Sequence, residues 1–200
     1  AQGAENIALV TPTQFLPTVI PALTPPLPVP VVYNCGGYER WETMEQLRDK
    51  VDIFLPDMKY ADNTLAQQLS GAGDYFQTAA RAIRTMADIT GPVQYRGEKL
   101  IKGTVIRHLI LPGLTSESIQ LLDWVAENLP GTPVSLMRQY IPMNGVDIKG
   151  LDRPITEREY RRVRDHMLAL DLPGYLQQKE AADSAYTPAF MDAESLRLLE

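Results

Sequence analysis

Residues 51–60 read VDIFLPDMKY. An apolar run of five residues with one acid among them, then a proline, then Asp57 and Lys59 two positions apart, is how a core strand ends at a polar mouth. In extended chain, residues two apart point to the same side. Asp57 and Lys59 therefore share a direction just past the strand. A charged pair is costly to bury there unless the charges serve each other or a ligand. Lys59 can clamp a carboxylate and Asp57 can hold hydroxyls or a cation, whereas the bland alternative is a self-satisfied structural ion pair.

Similar runs lie on either side. NIALV (6–10), VPVVY (29–33), TVIRHLIL (104–111) and PVSLM (133–137) are brief, apolar and rich in β-branched residues, and with 51–55 they begin 23, 22, 53 and 29 residues apart. Runs of this kind read as parallel strands buried on both faces. Between them lie helical patterns at 41–50, 65–69, 75–89, 116–129 and 156–170. The helix at 75–89 carries an apolar stripe at Phe76, Ala79, Ala80, Ile83 and Ala87, and the last has the Thr156/Glu159 spacing of a capping box. Repeated β–α units imply a parallel sheet with right-handed crossovers. The expected fold class is α/β with outer helices. The proline-rich stretch 21–30 reads as a stiff connector after a short helix broken by Pro17 and Pro21.

The chain has 200 residues, 44% of them apolar and 22% charged, with a net charge of −6. That is a globular mixture, and its acidity argues against a nucleic-acid coat or a polybasic membrane anchor. No run approaches the length of a transmembrane helix, and residues 1–6 carry no basic leader region, so the expected compartment is the cytoplasm. Cys35 is the one cysteine, so no intrachain disulfide can form.

In parallel α/β folds ligands sit at the carboxyl ends of the strands. The first strand ends in Thr11-Pro12-Thr13, either a ligand-facing hydroxyl pair or a plain helix cap. The second ends in Asn34-Cys35-Gly36-Gly37, where the glycines either admit a ligand to the backbone or punctuate a tight turn. In the fourth, alternation sends Arg107 with Leu109 and Leu111 to one side and His108 to the other, with Arg107 free to grip a carboxylate and His108 packed against helices. The fifth runs into Arg138, Gln139 and Tyr140. Phosphate-loop, dinucleotide and zinc-protease motifs are absent.

Taken in order, NIALVTPT, VVYNCGGYE, VDIFLPDMKYAD, the DYF helix, VIRHLILPG and SLMRQY resemble radical S-adenosylmethionine enzymes of the branch similar to pyruvate formate-lyase activating enzymes. The resemblance runs from Gly3 to about Gln178 and implies a partial (βα) barrel of about five to six parallel strands. It implies that Lys59 contacts the methionyl carboxylate, that Asp57 lies near the ribose and a monovalent cation, and that Arg107 joins them. Asn34 and Cys35 stand where the family commonly has Asp-Thr, and Thr11 to Thr13 stand where Gly-Gly-Glu receives the methionyl amino group. Asn34, Gly36, Gly37, Gln139 and Tyr140 would shape the pocket.

The implied cofactors are S-adenosylmethionine and a [4Fe–4S] cluster. The family's C-x-x-x-C-x-x-C loop would precede Ala1, so residues 1–178 are expected to be a partial barrel lacking its first strand and cluster loop, and 179–200 a C-terminal tail. The implied chemistry is reductive cleavage to a 5′-deoxyadenosyl radical that abstracts hydrogen from a small molecule or a protein substrate. The alternatives are a non-catalytic nucleotide-binding module without a cluster and, more remotely, a Schiff-base aldolase on Lys59.

Overall fold

The computed structural model of the chain describes residues 3–142 and 150–177. Strand β1 (Ile7–Val10) leads through a 3₁₀ turn (Thr13–Phe15) into α1 (Leu16–Ala22). Then come β2 (Val31–Cys35), α2 (Trp41–Glu45), β3 (Ile53–Pro56), α3 (Asn63–Ser70) and α4 (Tyr75–Thr90). A hairpin, β4 (Gln94–Arg96) and β5 (Lys99–Thr104), precedes β6 (Ile106–Leu109), α5 (Thr115–Asn128), β7 (Val134–Met137), α6 (Glu157–Ala169) and β8 (Gly174–Leu176).

The strands form two sheets, ordered β1-β2-β3-β5-β4 and β6-β7-β8, and every pair is parallel except the β4–β5 hairpin. The sheets are stitched together where β3 ends. Val105 donates to the Phe54 carbonyl at 2.9 Å, Met58 donates to the Arg107 carbonyl at 2.8 Å, and Asp57 pairs with Arg107 in parallel. The predicted strand 104–111 is thus the later part of a longer path. It begins at Lys99 as β5, breaks at Val105 and continues as β6.

Alternation divides each strand between two environments. Val31, Tyr33, Cys35 and Phe54 pack with Leu16, Met44 and Met86 in one core. Ile106, Ile110, Val134 and Leu136 pack against α5 and α6 in another. The opposite face is different: Asn34, Leu55, Arg107, Leu109 and Ser135 are only half-buried. The expectation of strands buried on both faces holds in part, since Val32, Ile53 and Met137 on this second face are buried. The helices cover one face, and the other mixes these buried residues with half-buried Asn34, Arg107 and Ser135, polar groups that need partners or a ligand. Strand β1 departs further. Among the described residues it pairs only with β2, and Ile7 and Val10 are exposed, Val10 at 63%.

Helix termini follow their sequence signals. Thr156 and Glu159 form the reciprocal capping box of α6. Pro17 lies in the first turn of α1 and Pro21 in its last, so the helix continues to Ala22 rather than breaking between them. Residues 174–176, beyond the last predicted helix, form β8 on the edge of β7. The tail at 179–200 lies outside the described residues.

Candidate functional site at the strand ends

Three charged side chains meet where β3 ends beside β6. Lys59 Nζ is 4.0 Å from Asp57 Oδ2, and Arg107 Nε is 3.3 Å from Asp57 Oδ1. Arg107 reaches across β3 to donate from Nη1 to Asn34 Oδ1 at 2.6 Å. The two-residue spacing in the one strand and the alternation in the other thus deliver all three groups to the half-buried face. Their cavity holds about 330 Å³ and is lined by Asp57, Lys59, Tyr60, Arg107, Met137 and Gln139, with Leu109 and Leu111 as an apolar wall. A larger hollow of about 570 Å³ opens at the other end of the strands, beside Glu5, Arg96 and Lys99. Its charges lie on the rim, and the Glu5 and Lys99 side chains pair with each other. The smaller cavity has the convergent polar groups that a ligand site needs.

Asp57 is the least satisfied group there. Its Oδ1 is buried without a hydrogen-bond donor among the described residues, because the nearby Arg107 Nε is off the line of a hydrogen bond. Burial pushes the Asp57 carboxyl above its ordinary range, and Arg107 and Lys59 pull it only part of the way back. With two cations around one carboxylate, the cavity is suited to an anionic group. Asp57 also retains acceptor capacity for a hydroxyl.

His108 takes the other side of β6, as its position predicts. It is buried between the Met58 carbonyl, 2.7 Å from Nδ1, and Ser118 Oγ, 2.8 Å from Nε2. Its role is to tie β3 to α5.

The remaining candidates divide. Gln139 lines the cavity. Asn34 acts on it through Arg107. Tyr140 is not among the lining residues, and its hydroxyl donates to the Leu151 carbonyl at 2.8 Å. Thr11, Thr13, Gly36 and Gly37 are also absent from the lining. Thr11 donates its N–H to the Asn34 carbonyl at 2.9 Å and has a left-handed φ of 46°. Thr13 Oγ1 lies 2.9 Å from Tyr33 Oη and donates to Glu39 Oε1 at 3.0 Å. Burial raises the Glu39 carboxyl, and the Thr13 hydrogen bond opposes that shift. Gly36 faces open space, whereas the Cβ position of Gly37 is filled by the Asp57 backbone. That glycine admits a neighbouring strand end. Tyr60 is a cavity residue that strand-end reasoning missed, because it lies one position beyond the Asp-x-Lys pattern.

Cys35 faces the helical core beside Tyr33, and burial pushes its thiol up to about 12. Among the described residues no group of three or more His, Cys, Asp or Glu side chains is placed to hold a metal ion. No helix among them is long and apolar enough to cross a membrane.

No protein-family model matches the chain. An uncharacterized protein of Methanocaldococcus jannaschii is 27% identical over 136 residues, which is 67% of this chain and 36% of that protein. The chain thus spans about a third of the length of that relative. Among solved structures, a domain of pyruvate-formate lyase-activating enzyme from Bacteroides vulgatus superposes with a TM-score of 0.62, covering 86% of this chain and 98% of that domain. At 16% identity the likeness is one of fold.

Proposed function

We propose that the strand-end cavity binds S-adenosylmethionine, and that the chain is the C-terminal part of a radical S-adenosylmethionine enzyme with a partial (βα) barrel. The observation that carries this reading is the meeting of Asp57, Lys59 and Arg107 around a cavity in which a buried Asp57 oxygen lacks a donor among the described residues. The fold it shares with an activating-enzyme domain supports it.

The chain's own residues have separable tasks. The Lys59 ammonium and the Arg107 guanidinium hold the methionyl carboxylate, Lys59 as a mobile point charge and Arg107 as a planar fork fixed by Asn34. Asp57 accepts a ribose hydroxyl on the part of its carboxylate that faces the cavity. Leu109, Leu111 and Met137 exclude water along one wall. S-adenosylmethionine supplies a sulfonium carbon–sulfur bond that one-electron reduction can cleave. An iron–sulfur cluster does not fit the residues present. It needs several exposed thiolates, and this chain offers one buried, protonated thiol. Such ligands would have to come from outside these 200 residues.

That same thiol favours a second reading, a module that holds the nucleotide without performing the cleavage. Calorimetry on the chain tests the shared premise. S-adenosylmethionine should bind, and Lys59→Ala should weaken binding about tenfold or more, the scale of one charge-assisted hydrogen bond. No binding, or unchanged affinity in Lys59→Ala, overturns the site. Anaerobic reconstitution with iron and sulfide should leave the isolated chain without cluster absorbance, and a stoichiometric four-iron cluster on the monomer would overturn the assignment of Cys35.

A further inference from the structure

The sheet stops supplying partners at Met58, whose N–H donates to the Arg107 carbonyl at 2.8 Å. The next amide belongs to Lys59, and a side chain takes it. Tyr75, the first residue of α4, accepts the Lys59 N–H on its hydroxyl oxygen at 2.9 Å and directs its own O–H toward the Asp57 carbonyl at 3.4 Å. One phenol thus holds the main chain at both ends of Asp57-Met58-Lys59. The same strap is fixed farther on by Glu117 of α5, whose Oε2 accepts from Ala61 N and Asp62 N, both at 2.9 Å.

The phenol itself is immobilised. Tyr75 is buried, with the Tyr38 ring stacked on it at 5.7 Å and 14° and the Tyr60 ring edge-on at 5.2 Å. The Tyr38 hydroxyl donates to Asp74, the residue that precedes α4. Tyr38 also follows Gly37, which packs on the Asp57 carbonyl. Two loops and a helix N-terminus therefore converge on one backbone segment. That is more than a helix-to-sheet contact requires, because apolar packing alone would seat α4.

We infer that Tyr75 is a positioning residue, whose hydroxyl fixes the backbone from which Asp57 and Lys59 project into the cavity. The inference rests on the binding role proposed above. A displacement of about an ångström at this backbone would move both charged groups off the ligand together.

Tyr75→Phe is the test, since it removes the hydroxyl and keeps the ring. Two measurements are made on the folded chain: amide hydrogen exchange at Lys59, and calorimetry with S-adenosylmethionine. The wild-type Lys59 amide should be protected. Tyr75→Phe should speed its exchange about tenfold and weaken S-adenosylmethionine binding about tenfold, the order of a single buried hydrogen bond. Thr90→Val, which removes a buried hydroxyl pair with Thr104 at the far end of the strands, should change neither. An unprotected Lys59 amide in the wild type overturns the clasp even if Tyr75→Phe fails to fold. Unchanged exchange in Tyr75→Phe also overturns it. Faster exchange with unchanged affinity leaves the contact but refutes its positioning role. A wild-type chain that binds no S-adenosylmethionine defeats the binding reading and the positioning role with it, while exchange still judges the contact.

Discussion

A Cβ on Gly37 would stand 1.8 Å from the carbonyl oxygen of Asp57. The turn after β2 therefore rests directly on the backbone of the candidate site, at a residue whose φ of +78° already disfavours any side chain. The obstacle is main chain, so no rotamer change relieves it. Gly37→Ala should cost about 3 kcal/mol, combining left-handed strain with overpacking. Denaturant titration measures this, and stability equal to wild type would remove the contact. Because relief requires moving Asp57, the same variant should bind S-adenosylmethionine more weakly.

Arg107 serves two partners with one planar group, donating to Asn34 at 2.6 Å and standing 3.3 Å from Asp57. Lysine keeps the charge but cannot span both. Arg107→Lys should lose about 1 kcal/mol of stability, the net worth of the Asn34 bond. In Arg107→Ala the largest influence opposing burial at Asp57 disappears, so its carboxyl should titrate at higher pH than in the wild type. Carbon-detected NMR of the Asp57 carboxyl reads this directly. An unmoved midpoint would separate Arg107 from Asp57.

Most of this geometry was legible in the sequence because strand periodicity is rigid. A spacing of two sets Asp57 beside Lys59, and a spacing of one sends Arg107 and His108 to opposite faces. The central strands and the long helices were found for the same reason. What was missed depends on partners far away in the chain. The β4–β5 hairpin was not read because its strands are mostly polar and half-exposed. Tyr75 reads as the start of an apolar stripe, and only its approach to Lys59, 16 residues earlier, gives its hydroxyl a task.

His108 ties stability to pH. Its Nδ1 faces a carbonyl and so carries the hydrogen, leaving Nε2 to accept from Ser118, which makes the buried ring neutral. Burial lowers its pKa from the ordinary 6.5, with the Met58 hydrogen bond pulling the other way. Below about pH 6.5 the unfolded chain takes up a proton that the folded chain refuses. Stability should therefore fall as pH drops below that point, by at most about 1.4 kcal/mol per pH unit from this residue. The difference between wild type and His108→Leu across pH 4–7 isolates the effect, and parallel curves would refute it.

Asp57→Asn separates a functional carboxylate from a structural ion pair. Because burial outweighs its two cations, the folded state holds the Asp57 proton more tightly than the unfolded state does. A raised acid contributes its full share of stability below the ordinary carboxylate range near 3.8. That share is lost as pH rises toward the native pKa and stays lost above it. At pH 7 the ionised Asp57 thus weighs against folding, and the near-isosteric amide should make the chain more stable, by about 1 kcal/mol. The advantage should vanish below about pH 4, where both side chains are neutral. Affinity for S-adenosylmethionine should move the other way, because the amide gives up the charged acceptor offered to the ribose. A more stable chain that binds less well marks a site kept for a ligand at the expense of the fold. If Asp57→Asn is less stable at pH 7, the carboxylate is held by Arg107 and Lys59 for the fold's sake, and the cavity loses its claim to the nucleotide.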